Sequence, residues 1–201
     1  MFKINNVELN KSETKKIIIK NVLLMLKDRN YNVGDIDKII NEFTNIASTE
    51  IFDLKFDKIS IFISLEKLSS INKLPSFRNY LSEDVDTHKI VIISNPNKKI
   101  YKQIIDYVNT EVFFDYEMKV NIASHILVPK HIMLNKDEVD AYYKEYGKKG
   151  ISKILNTDPM ARYYNATVGD IFKIIRPSTT SGYSSFYRQV VSGSIDNLFL
   201  D

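Results

Sequence analysis

The chain has 201 residues, 44% of them hydrophobic and 26% charged, with no cysteine and a formal net charge of +3. This excludes a mainly disordered chain, because there is ample apolar surface to offset the entropy of ordering, and it excludes disulfide frameworks and cysteine-held zinc. The charge is spread evenly, with 18 basic and 17 acidic groups in residues 1–119 and 10 and 8 in residues 120–201. The sequence therefore shows no basic face of the kind that grips nucleic acid unaided.

The start, MFKINNVELNKSETKK, has no apolar signal core. The densest apolar run, VLLMLK at 22–27, is far too short to span a bilayer. An intracellular, soluble protein without a membrane partner is expected. Residues 12–29 then read as a helix, with Ile18, Val22 and Met25 on one stripe and Ile19, Leu23 and Leu26 beside it. DRNYNVG breaks it. Asp35 can cap a second helix carrying Ile36, Ile39, Ile40 and Phe43, so a helical hairpin is expected. Strand-like runs follow at 51–56, 60–65 and 89–94. The last, KIVIIS, is continuously apolar, as in a strand covered on both faces. Residues 66–88 show no regular period.

After NPNKK, a helix is expected with Ile100, Ile104, Ile105 and Val108 inward, then a strand near 118–122. This alternation predicts an α/β unit over residues 1–120. A second unit, 121–201, begins with Asn135 and Glu138 spaced as a capping box before a helix bearing Val139, Tyr142, Tyr143 and Tyr146. Gly147 suits its C-terminus. Asp158 and Pro159 mark another helix start. Gly169-Asp170 turns into the strand IFKIIR, RPSTTSGYS reads as a connection, and SFYRQVV returns. In that last strand Phe186, Arg188 and Val190 face one way, with Tyr187, Gln189 and Val191 opposite. The tail SGSIDNLFLD reads as a frayed end or a docking segment.

The sequence holds no HExxH, phosphate loop or GxSxG. His88, His125 and His131 lack the spacing of a metal pair and are read as structural. Three acid-x-lysine tripeptides occur, at Glu13/Lys15, Asp53/Lys55 and Glu117/Lys119, about as many as chance gives and none preceded by Pro-Asp. No catalytic residue, cofactor or metal site is expected. Arg162, Arg176 and Arg188, three of the five arginines, sit beside turns and strands of the second unit. They read either as surface ion pairs or as interface anchors, and the tyrosines divide between core and interface in the same way.

Three segments carry a resemblance: HILVPKHIMLNKDEV at 125–139, TDPMARYY at 157–164 and KIIRPSTTSGYSSFYRQV at 173–190. In order and spacing they resemble the assembly domain of the fifth subunit of eukaryotic-type RNA polymerases, of which the archaeal counterpart is little more than a single copy. LKDRNY and KIVIISNPNKKIYKQIIDYV are similar to the eukaryotic jaw domain. Three features depart from the pattern: Thr179 stands where the family often has glutamate, SGY followed by serines replaces a typical AGRY, and the tail beyond Val191 exceeds the usual family end.

The resemblance implies an α/β (α+β) protein with two domains. One is an N-terminal jaw, 1–120, like an inactive restriction endonuclease; the other is a small mixed-sheet assembly domain, 121–201. It implies a non-catalytic subunit, monomeric within the complex. The assembly domain would dock on the largest subunit, next to a small one, and the jaw would lie at downstream duplex DNA, held weakly and without sequence preference. The implied partner residues are Asp158, Pro159, Arg162, Tyr163, Arg176, Pro177, Ser178 and Arg188. Asp158 and Pro159 would act by fixing the helix start that positions Arg162. The DNA-proximal residues would be Pro96, Asn97, Lys98 and Lys99, where a helix N-terminus with two lysines suits phosphate; a plain helix cap with solvated lysines is the competing reading. The chain is short for a cellular eukaryotic member, and with its Ile, Asn, Lys and Tyr content this points to a large DNA virus. The setting would be a nucleus, or a cytoplasmic viral factory or virion. A transient polymerase-binding adaptor and a metal-dependent nuclease are the alternatives.

Overall fold

The computed structural model describes residues 11–45, 51–56, 58–67, 70–71, 74–94 and 97–199. The chain divides into two compact units, Met1–Val120 and Asn121–Asp201. It is a mixed α/β protein in which each unit carries one four-stranded mixed sheet. Among the described residues, no helix is long and apolar enough to cross a membrane.

The first unit opens with α1 (Lys11–Asp28) and α2 (Ile36–Asn45). Both expected stripes of α1 are buried: Ile18, Ile19, Val22, Leu23, Met25 and Leu26 are each 0% exposed. A helix apolar over so wide an arc lies in the core. On α2, Ile36, Ile39 and Ile40 are half-buried, and the side chain of Phe43 lies outside the described residues.

Strands β1 (Ile51–Phe56) and β2 (Ile59–Lys67) form an antiparallel hairpin. β3 (His88–Ser94) is parallel to β2, and β4 (Thr110–Phe114) is parallel to β3. Parallel neighbours need crossovers. Helix α3 (Pro75–Ser82) lies in the first and α4 (Lys98–Ile105) in the second. KIVIIS is thus an inner strand, and residues 89–93 are buried, as its unbroken apolar run required.

Three expectations for this unit need correction. Residues 66–88 contain α3, whose Phe77, Tyr80 and Leu81 are buried, with the Phe77 and Tyr80 rings 4.7 and 5.1 Å from Phe62. Its end is held by the buried Lys89, whose Nζ donates to the Leu81 carbonyl at 2.8 Å and to that of Glu83. Secondly, α4 stops at Ile105, leaving Ile105 and Val108 exposed. Thirdly, the strand expected near 118–122 is absent. β4 ends at Phe114 and runs into a short helix α5 (Asp115–Met118), whose Glu117 carboxylate accepts the Phe114 N–H at 2.8 Å.

One ion cluster ties the end of α1 to the sheet. Arg29 donates two bonds to Glu111 on β4, at 2.8 and 2.9 Å, and His88 on β3 bonds to the same carboxylate. The Arg29 and Glu111 side chains are only 4% and 16% exposed. Burial alone would raise the Glu111 carboxyl, but the His88 bond and the Arg29 guanidinium outweigh it and hold it below the usual carboxylate range.

In the second unit the sheet order is β5-β7-β8-β6. β5 (Lys130–Met133) and β8 (Gly182–Val191) are antiparallel to β7 (Ile171–Ser178), and β6 (Ser152–Leu155) is parallel to β8. Sequence alone missed β5 and β6, which have four residues each. It also made the β7–β8 connection too long, since only Thr179–Ser181 lie between the strands. Ile154, Ala161, Phe172, Ile174 and Val190 form the core on one face, flanked by Tyr164 and Ala166.

Helix α6 (Lys136–Tyr146) starts at the expected capping box, with Glu138 N–H to Asn135 at 2.9 Å and Asn135 N–H to Glu138 at 2.8 Å. Gly147 ends it at φ +76°, a conformation suited to glycine. The helix meets the other face of the sheet: Tyr142 stacks on Tyr187 at 4.6 Å, and Gln189 donates to the Tyr143 hydroxyl at 3.0 Å.

Removing one partner of the Arg29–Glu111 pair strands a buried charge, so Arg29→Ala is expected to destabilise the first unit by about 3 kcal/mol in urea titration. Because the Glu111 carboxyl is held down in the folded state, its contribution is in force above an unfolded-state value of about 4.3 and is lost as pH falls through the folded value. A melt that is steeper in acid for the native chain than for Arg29→Ala checks the sign.

Candidate functional site

The helix start at Asp158 forms as its sequence dictates. The Asp158 carboxylate accepts the Met160 N–H at 2.9 Å, Pro159 fills the first helical position, and α7 (Pro159–Tyr163) follows. Met160 and Ala161 go into the core, while Arg162 in the last turn stays half-buried. Tyr163 is only 4% exposed and packs edge-on to Tyr164, so its ring belongs to the interior and is not open to a partner. Of the expected partner residues, Tyr163 is thus one that the structure places in the interior.

Beside α7 the sheet face continues past the core as a groove of about 460 Å³. Register explains its lining. Phe172 pairs with Arg188, Ile174 with Phe186 and Arg176 with Ser184, so all six side chains share one face. The groove gathers Asp158, Pro159, Arg176 and Arg188 of the expected set. It adds His131, Ser152, Ile174 and Phe186, which sequence reasoning did not assign to it. Arg162, Tyr163, Pro177 and Ser178 do not line it. Pro177 is exposed near the hairpin tip, and the Ser178 hydroxyl lies 3.2 Å from that of Thr180.

The Arg176 guanidinium carbon sits over the Phe186 ring, 3.9 Å from its centre. Such a contact orients a guanidinium while leaving its N–H fork open. Neither Arg176 nor Arg188 forms a salt bridge with a carboxylate among the described residues. His131 Nδ1 meets the Pro129 carbonyl at 2.7 Å, and its ring stands edge-on to Phe172. Burial is the main cause that pushes its pKa down, so the imidazole is neutral near pH 7. The groove can thus hold an apolar chain on its floor and a carboxylate at its arginine wall.

The second expected site is the start of α4. Pro96, with Asn95 before it, lies outside the described residues. The Asn97 side chain accepts the Lys99 N–H at 2.8 Å, so it occupies part of the helix N-terminus itself. Lys98 and Lys99 are exposed.

The acid-x-lysine tripeptides are scattered. Glu13/Lys15 lie on α1. Asp53/Lys55 lie on β1, with Asp53 at 3.5 Å from the Ser60 hydroxyl and its pKa raised chiefly by burial. Lys119 pairs with Asp115 at 3.0 Å. Among the described residues, no three His, Cys, Asp or Glu side chains come together as a metal site.

Residues 120–190 match the family model described as RNA polymerase Rpb5, C-terminal domain. The chain is 29% identical over 192 residues to DNA-directed RNA polymerase subunit 5 of Acanthamoeba polyphaga mimivirus, covering 90% of this chain and 93% of that one. It is 28% identical over 188 residues to the DNA-directed RNA polymerases I, II, and III subunit rpabc1 of Dictyostelium discoideum, covering 87% and 95%. It is 46% identical over 76 residues to DNA-directed RNA polymerase subunit Rpo5 of Archaeoglobus fulgidus, spanning 37% of this chain and all of the relative. The nuclease and adaptor alternatives find no support in these names.

Asp158→Ala removes the α7 cap and is expected to cost about 1 kcal/mol. Denaturant unfolding of the second unit, followed through its tyrosines, would measure it. The chain belongs to the fifth-subunit family of DNA-directed RNA polymerases.

Proposed function

We propose that the unit Asn121–Asp201 docks this chain on the largest catalytic subunit of its polymerase, next to a small subunit. The unit Met1–Val120 then serves as a non-catalytic jaw at downstream duplex DNA. One observation carries the docking assignment: the segment matched by the family, 120–190, lies, but for Val120, within the unit that bears the groove, whose two guanidiniums form no salt bridge among the described residues. A relative from Archaeoglobus fulgidus that aligns over its full length with 76 residues here indicates that this unit is the shared core of the family. The docking residues are Arg162, Arg176 and Arg188, with Pro177 and Ser178 at the hairpin tip. Asp158 and Pro159 act by fixing α7.

For the jaw, two exposed lysines at the start of α4 favour contact with a phosphate backbone, which positions without reading sequence. Asn97 already takes one free N–H there, so the lysine charges supply most of the attraction. A sheet with a leading antiparallel hairpin and two parallel crossovers supports the restriction-endonuclease-like reading of this unit. The workplace is that of the polymerase, a nucleus or a cytoplasmic viral factory. The relative from mimivirus, which aligns over most of both chains, favours the viral setting.

Native mass spectrometry of tagged protein from its own cellular context is expected to show one copy beside two catalytic subunits. Truncating an arginine that serves as an interface hot spot costs about 2 kcal/mol. Arg162→Ala should therefore weaken incorporation by roughly thirtyfold in competition with the native chain, and unchanged incorporation would remove Arg162 from the docking set. Reversing Lys98 and Lys99 to glutamate should lower downstream DNA crosslinking and flatten its salt dependence while assembly stays intact. Untouched crosslinking would leave α4 with an ordinary cap.

A further inference from the structure

The β7–β8 hairpin is longer than its neighbours. β5 pairs only with residues 172–175 of β7, and β6 pairs only with residues 188–191 of β8. The tip therefore overhangs the sheet on both sides. An overhanging strand presents unpaired N–H and C=O groups, and folded proteins usually block such edges with lysine, proline or a bulge.

Three of the four exposed edges are blocked in that way. β5 begins with Lys130 directly after Pro129, and β6 carries Lys153. On the β7 overhang the blocking residue is Pro177. Val190 N–H donates to Asp170 at 2.8 Å, so even-numbered residues of β8 turn their backbone toward β7. Tyr183, the partner of Pro177, is odd-numbered, so this is a non-bonded pair and the proline nitrogen points outward. Proline is tolerated at that position, and it closes the edge.

The β8 overhang is not blocked. Asn156 N–H donates to Val191 at 2.9 Å, so odd-numbered residues of β8 face the β6 side. Beyond the end of β6 these include Ser185 and Tyr183. Tyr183 is satisfied locally: its N–H bonds the Ser181 carbonyl at 2.8 Å, and its own carbonyl accepts the Ser181 hydroxyl at 3.2 Å. Ser185 is exposed, with its N–H and C=O turned outward. The stretch from Gly182 to Tyr187 contains no charge and no proline. It also borders the groove, where Arg176, Phe186 and Arg188 present apolar surface and positive charge.

We propose that the β8 edge from Tyr183 to Tyr187 receives an added strand: an extended segment of a catalytic polymerase subunit, in line with β6, bearing a carboxylate that meets Arg188 or Arg176. The main-chain bonds at Ser185 supply register, and the groove takes the side chains that alternate toward it. The two guanidiniums favour an acidic segment, since among the described residues Asp158 is the one carboxylate lining the groove. The proposal rests on the docking assignment above and adds its mode.

Amide hydrogen exchange should compare the free full-length chain with the purified polymerase. The outward amide of Ser185 is expected to exchange rapidly in the free chain and about tenfold or more slowly in the complex. Ser185→Pro removes the outward N–H without touching the β7 ladder. It should lower incorporation at least about tenfold while its melting stays within a few degrees of the native chain. Full incorporation of the native chain with the Ser185 amide still exchanging rapidly overturns strand addition and leaves docking intact. Unimpaired incorporation of a folded Ser185→Pro does the same. A native chain that never co-purifies with catalytic subunits overturns docking and strand addition together.

Discussion

The C-terminal unit depends on the register of one ladder. β7 and β8 are joined by three residues and paired from Ser178↔Gly182 to Ile171↔Gln189. That pairing puts Phe172, Ile174 and Val190 on the same face, where α7 and Ile154 complete the core. The same face, continued toward the tip, must carry Arg176, Phe186 and Arg188. A slip of one residue would send the aromatic and aliphatic set to the α6 side and the tyrosine–glutamine set into the core. Core and groove are therefore one pattern read at two ends of a hairpin, and the groove cannot be moved without losing the core.

The first unit is organised differently, around a charged cluster. α1 is apolar enough to bury itself, but apolar burial is non-directional and does not fix where the helix ends. Arg29, just past the helix, is fixed by a fork to Glu111, and His88 shares the carboxylate. One buried group thus joins the end of α1, the start of β3 and the start of β4. Lys89, the next residue on β3, extends the same logic in the other direction by holding the end of α3. Two adjacent polar side chains at the head of the inner strand thereby set the ends of two helices.

Much of this was legible in the sequence wherever a local rule acts alone. The stripes of α1, the unbroken KIVIIS, the capping box at Asn135 and the Asp158-Pro159 start are each determined within a few residues, and each forms. What escaped depends on distant partners. β5 and β6 are four residues long and gain their pairing from β7 and β8, so their own sequences carry little period. α3 lies in a stretch without regular alternation, and its end is satisfied by Lys89, beyond the helix itself. Tyr163 shows the same limit at the site. The tyrosines read equally as core or interface and the resemblance implied a partner role for Tyr163, but the five-residue helix turns it into the core. His131 and Phe186 entered the groove through pairing register, which a one-dimensional reading does not supply.

The arginines follow a common rule across both units. Arg29 is buried, and its fork is used up by a carboxylate within the chain. Arg176 and Arg188 are exposed on a sheet face, one stacked on an aromatic ring, and among the described residues neither has an acidic partner. The Arg176 guanidinium, held on the Phe186 ring, costs little additional entropy when a carboxylate arrives, so it favours binding more than a flexible lysine would. Placed beside a strand edge that carries no proline and no charge, the two arginines make the same side of the hairpin both electrostatically and topologically open. The opposite overhang, closed by Pro177, is not. The hairpin therefore has one side suited to a partner chain and one side protected from it, and the difference arises from a single proline and the parity of the ladder.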